Sequence, residues 1–174
     1  MAVNRRQFLL AALATPLALA FGVKTTAMAR RYPLSDALAQ LKRLPADKLV
    51  STGNWSVSEI LQHVAQSIRF SRIGYPEAKS ALFQHTAGAA AINLFSAFGS
   101  MTHPLDQPIP GAKALVAAVP NDVALAELIS EIEQFIAWQG QLAPHFAYGN
   151  LDKAQYYNAH YLHLQDHLSE IQLG

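Results

Sequence analysis

The sequence predicts an all-α domain. Apolar residues recur at helical spacing in several long stretches, two of those stretches open on capping boxes, and no segment alternates as a strand over a useful length. The chain of 174 residues is 51% hydrophobic and 14% charged, which suits one compact domain over residues 30–174 once an N-terminal segment is set aside.

That segment, residues 1–29, reads as an export signal. Arg5 and Arg6 precede an apolar run over 8–23, and Ala27-Met28-Ala29 offers small residues in an A-x-A arrangement for cleavage. Arg5-Arg6-Gln7-Phe8-Leu9 resembles the twin-arginine pattern R-R-x-F-L, with Asn4 where Ser or Thr is usual. The run is shorter than the roughly 20 residues that span a bilayer and is interrupted by Pro16, so no stable membrane span is expected after cleavage. The resemblance implies the twin-arginine export machinery as a partner and a periplasmic or otherwise exported location. Cleavage removes Arg5, Arg6, Lys24 and no acidic residue, taking the formal net charge from +1 to −2. A mildly acidic domain gives nucleic-acid binding no electrostatic support. The absence of cysteine excludes disulfides and thiolate chemistry, so any metal must be held by nitrogen or oxygen.

Taken in order, Ser35 can cap a short helix with Leu34, Leu38, Leu41 and Leu44 on one stripe, stopped at Pro45. Ser56-x-x-Glu59 is a capping box that opens a helix running to about Ile73, with Val57, Ile60, Leu61, Val64 and Ile68 as its apolar stripe and His63 at the stripe's edge. Residues 86–98 are almost wholly apolar and fit a buried helix or two short pieces. Pro104, Pro108, Pro110 and Pro120 break up residues 101–120, predicting a long ordered crossover loop. Asn121 or Asp122 then caps the clearest amphipathic helix, carrying Leu125, Leu128, Ile129, Ile132, Phe135 and Ile136 and ending near Gly140. Pro144-His145-Phe146 and Gly149-Asn150-Leu151 make the last turn, after which Asp152-x-x-Gln155 caps the final helix.

On the final helix His160, His163 and His167 fall within an arc of roughly 60°, with Glu170 extending the stripe. The same face carries Leu164, Leu168 and Ile171, so these imidazoles need a partner, and a metal ion is the natural one. His163 and His167, four apart, supply two ligands on one helix face, and His63 on the other long capped helix is the best-placed third. Three neutral histidines leave a coordination position for water or substrate. Ordinary imidazole ligands predict metal affinity that falls below about pH 6.5.

The run from Trp55 to Ile68 with Gly74-Tyr75-Pro76, and the ending Pro144-His145-Phe146, Gly149-x-Leu151, His163-Leu164-x-x-His167-Leu168, resemble the first and last motifs of an uncharacterised branch of the DinB-like superfamily. The resemblance implies a four-helix bundle of the DinB/YfiT type, holding a divalent ion by one histidine on the second helix and an H-x-x-x-H pair on the last. Those positions are His63, His163 and His167. Where that branch has a doubled histidine this chain has Asp166-His167, and where it has Arg-Gln-Phe this chain has Ser169-Glu170-Ile171. Related bundles include thiol-dependent transferases and metal-dependent hydrolases; the expected function is binding of a divalent transition metal through three histidines, with one of these activities on an unidentified small molecule if the site is catalytic. A non-catalytic metal carrier and a metal-free bundle are the alternatives. Imidazole suits zinc or nickel first, with iron or copper also compatible. A homodimer is compatible with the sequence.

Beside the trio, His160 is expected near the ligands or in solvent, and Glu170 as a supporting carboxylate or a solvent-exposed helix end. Gln66 and Ser67 are placed to orient His63 or to fill a polar pocket, Trp55 to anchor packing, and Arg69 and Arg72 to lie on a solvated helix face, with attraction of an anionic substrate as the alternative. His85, His103 and His145 fall in loop-like stretches and receive no role.

Overall fold

A computed structural model describes residues 33–174; the export signal expected at 1–29 lies outside the described residues. Helix α1 (Leu34–Leu41) and a single 3-10 turn (Ala46–Lys48) lead into strand β1 (Leu49–Ser51). Helix α2 (Val57–Ile73) follows, then a continuous helical run made of α3 (Ala81–Phe83), a π turn (Gln84–Gly88) and α4 (Ala89–Phe98). After the proline-rich crossover come α5 (Asn121–Ala137), α6 (Lys153–Leu168) and strand β2 (Ile171–Leu173). The described chain is all-α apart from the two short strands. Among the described residues no helix is long and apolar enough to cross a membrane.

Both capping boxes form. The Ser56 hydroxyl accepts from the Glu59 N–H and the Glu59 carboxylate accepts from the Ser56 N–H, while Asp152 and Gln155 do the same for α6. Two other caps differ from expectation: α1 starts after Pro33 and α5 after Pro120, and neither Ser35 nor Asn121 or Asp122 caps with its side chain. Proline with an extended ψ ends the preceding loop, so the first turn needs no side-chain acceptor to set its direction.

The core lies where α2 meets α5. Leu61, Val64 and Ile68 pack against Leu125, Leu128, Ile132 and Phe135, with Leu34 and Leu41 of α1 and Tyr156 and Leu164 of α6 completing the cluster. A smaller cluster of Ile92, Met101, Ala159 and Leu162 fixes α4 and the start of the crossover to α6. The 81–98 run is therefore less buried than its composition predicts. Only Gly88, Ile92 and Ser96 are buried, while Leu82 and Phe98 are about three-quarters exposed.

The two strands pair antiparallel, Leu49 with Leu173 and Ser51 with Ile171. Three residues on each side are too few to show a strand period, which is why they are invisible in the sequence pattern. Their effect is positional. With the Thr52 N–H donating to the Glu170 carbonyl at 2.8 Å, they bind the end of α6 to the segment that leads into α2. His63 and the histidines of α6 are thereby held in register.

Candidate metal centre

Helices α2 and α6 run antiparallel, so His63 faces His163 and His167 while Ser71, two turns on, faces His160. His63 Nε2 lies 3.2 Å from His163 Nε2, and His167 Nε2 lies 3.1 Å from the same atom. A fourth imidazole joins them from the crossover. One ligand atom from each of His63, His103, His163 and His167 lies within 4.8 Å of all the others. The trio expected from spacing is brought together, and His103, given no role in the sequence, is brought with it.

The protons decide what this cluster can hold. A neutral imidazole has one N–H and one lone pair, so His163 Nε2 cannot serve both neighbours properly, and the three Nε2 atoms support at most one good hydrogen bond. The Nδ1 atoms of His63, His163 and His167 are buried with no partner among the described residues. With each proton on Nδ1, three lone pairs converge, and a cation is the group that satisfies them all. The spacing fits, since ligands at about 2.05 Å from a tetrahedral ion stand about 3.3 Å apart.

Burial keeps these rings neutral. Desolvation, aided by the neighbouring His103, lowers His63 to about 4; burial lowers His167 to about 2, and burial with the other imidazoles holds His163 well below the usual range. His103 is oriented differently. Its Nδ1 lies 2.7 Å from the Asp166 carboxylate, which accepts its proton and leaves the Nε2 lone pair for the cluster. Trp55 closes the other side, its ring nearly parallel to that of His167 at 6.3 Å and tilted against His63 at 5.1 Å. It walls the centre as well as packing.

The remaining expected residues fall elsewhere. His160 is buried one turn below the cluster, where its Nε2 lies 3.1 Å from Ser71 Oγ. That pair has the spacing of a nucleophile and its base, but the Ser71 hydroxyl donates to the Ile68 carbonyl at 2.7 Å, so His160 is the donor. Ser71 is fully buried with its hydroxyl proton committed to Ile68, so the arrangement is structural although His160 also lines the cavity beside the cluster. Glu170 leaves the histidine face; its carboxylate packs so tightly on Gly53 that a Cβ there would come within 2.3 Å. Gln66 donates to the Lys113 carbonyl and ties the crossover to α2. Ser67 accepts from the Tyr75 hydroxyl through its carbonyl. Arg72 is not on a solvated face. It is buried against Glu131 and donates to Gln134 at 2.9 Å, while Arg69 is half exposed beside the same carboxylate.

A cavity of about 180 Å³ opens beside the cluster, with His63, His103 and His163 at one end and Lys79, His145 and Phe146 in its wall. Residues 28–173 match a family described as a protein of unknown function, DUF1569. The chain belongs to the DUF1569 family. No curated protein and no solved structure matches it. In this DUF1569 member the residue hardest to find from sequence is His103, which stands alone in a proline-rich loop. The signal was Asp166, an acidic residue beside His167 on the histidine helix, which takes His103 as its partner.

Proposed function

We propose that this protein is an exported metalloprotein of the DinB/YfiT-like type. In this reading α1, α2, α5 and α6, which share the main core, are the four helices of the bundle, with His63 on the second. His63, His163 and His167, joined by His103, hold one divalent transition metal, zinc or nickel before iron or copper. The carrying observation is the approach of His163 Nε2 to both His63 Nε2, at 3.2 Å, and His167 Nε2, at 3.1 Å, a pair of contacts that no arrangement of protons satisfies together. Export rests on the Arg5-Arg6 pattern of the leader.

The cavity favours an enzyme acting on a small molecule, since three of the four imidazoles line a space that a buried structural ion would not need. A bound ion would lower the pKa of a coordinated water or thiol, the chemistry of a hydrolase or a thiol transferase. The protein's part is to keep His63, His163 and His167 neutral by burial, to orient His103 through Asp166, and to shield the centre with Trp55. A second reading has its own support: four imidazoles complete a tetrahedral shell, as in a carrier or a structural site.

Metal analysis of protein purified without a histidine tag tests the reading. About one equivalent of metal is expected, lost in His63→Ala, with the thermal transition raised by added zinc or nickel. Less than about a tenth of an equivalent, and no thermal shift, overturns it. His103→Ala then separates enzyme from carrier: an enzyme keeps its metal on three histidines and turns over in a hydrolase and thiol-transfer panel, whereas a four-ligand carrier releases it.

A further inference from the structure

The cavity wall also includes polar groups that do not belong to the histidine cluster. This part of the wall is built on the turn between α5 and α6, closed on itself by the paired backbones of His145 and Gly149. Gln84 of the π turn clamps this turn by donating to the Phe146 carbonyl at 3.1 Å, and Gly88 lets the helix approach it, since a Cβ there would lie 2.0 Å from the Ala147 carbonyl oxygen. The wall is rigid.

Within it, His145 Nδ1 accepts from the backbone N–H groups of Ala147 at 3.1 Å and Tyr148 at 3.3 Å. A neutral imidazole so committed carries its proton on Nε2. The ring cannot turn to hide that proton, because it stacks on Tyr148 at 4.3 Å and 10° and is flanked by Tyr75 at 4.9 Å. His145 is only 7% exposed and lines the cavity, and both hydrogen bonds of its ring are made at Nδ1. Burial lowers its pKa to about 3, so it stays a fixed neutral donor at physiological pH. Lys79 stands next to it. The Lys79 N–H donates to the Phe146 carbonyl at 2.8 Å, and its side chain is the one lysine, arginine, aspartate or glutamate among the residues lining the cavity. The lining also includes Met101, Ile109 and Ala159, all buried and apolar.

We propose that Lys79 and His145 form a carboxylate-binding subsite, so that the molecule brought to the histidine cluster is a small organic acid with a metal-binding group a few carbons from its carboxylate. One ammonium and one fixed N–H match the two oxygens of a carboxylate, and the absence of any acidic side chain in the lining removes the competing partner. Which end of the acid faces the cluster rests on the metal reading; the subsite does not.

Succinic acid monohydroxamate and its methyl ester, titrated calorimetrically into nickel-loaded protein and followed by NMR in metal-free protein, form the test. The acid is expected to bind about tenfold tighter than the ester, the scale of one charge-assisted contact. Lys79→Gln, an exposed position that leaves the fold intact, should bring the ratio to within about threefold with nickel stoichiometry unchanged. Equal binding of acid and ester by the wild type, or a ratio untouched by Lys79→Gln, overturns the subsite. Removing nickel should weaken both probes alike and preserve the ratio. A protein that takes up no nickel would therefore defeat the metal reading while the metal-free ratio still decides the subsite.

Discussion

Asp166 is the residue through which the last helix reaches the crossover loop. Its carboxylate accepts from His103 Nδ1 at 2.7 Å, while its neighbour His167 is fully buried in the cluster. Of the four imidazoles it is His103 that has a carboxylate behind it, since the Nδ1 atoms of the other three have no partner among the described residues. A carboxylate behind a ligating histidine fixes its tautomer and raises its basicity, and removing such a partner lowers metal affinity by about 10- to 100-fold. Asp166→Asn, which keeps the shape and removes the charge, is therefore expected to weaken zinc binding by about tenfold in a chelator competition titration. His103→Ala should weaken it at least as much. Unchanged zinc affinity in both variants would remove His103 from the centre.

Between elements, the α2–α5 contact carries a buried ion pair beside its apolar core. Glu131 is 3% exposed, and Arg72 bonds it while also lying 5.8 Å over the Trp138 ring. Removing one partner of such a pair leaves a buried charge and costs about 3–5 kcal/mol, whereas replacing both with apolar residues is often neutral. Arg72→Met should thus lower the urea midpoint sharply, with the loss softened by Arg69, which approaches Glu131 to 3.4 Å. Arg72→Met with Glu131→Leu should restore most of it; a double variant no more stable than the single one would contradict this account. Legibility follows the same line between local and distant causes. Ser56 with Glu59, Asp152 with Gln155, and the 3.6-residue stripes of α2 and α5 act within one helix, so α2, α5 and α6 and the trio His63, His163 and His167 were readable. Arg72, His103 and β1–β2 depend on partners about 60 to 120 residues away, and no local pattern encodes them.

At the scale of the whole molecule, the histidines set how the fold responds to acid. Burial lowers His63 to about 4 and His145 and His160 to about 3, and holds His163 and His167 low as well. In the unfolded chain each takes up a proton near pH 6.5. Below that value the unfolded state binds protons that the folded state refuses, so stability present in full above about pH 6.5 is lost progressively as pH falls toward the folded values. The window between about pH 6.5 and 5 isolates the effect, because carboxylates remain ionised there. Metal-free protein should show a thermal midpoint that is flat from pH 8 to 7 and then falls steeply to pH 5. The same burial moves the expectation drawn from ordinary imidazoles: while the fold persists, its ligand nitrogens stay unprotonated below pH 6.5, so zinc affinity measured on folded protein should hold to about pH 5. A thermal midpoint unchanged from pH 7 to 5 would mean that the five rings are hydrated and free to protonate, and the neutral, preformed centre would fall with it.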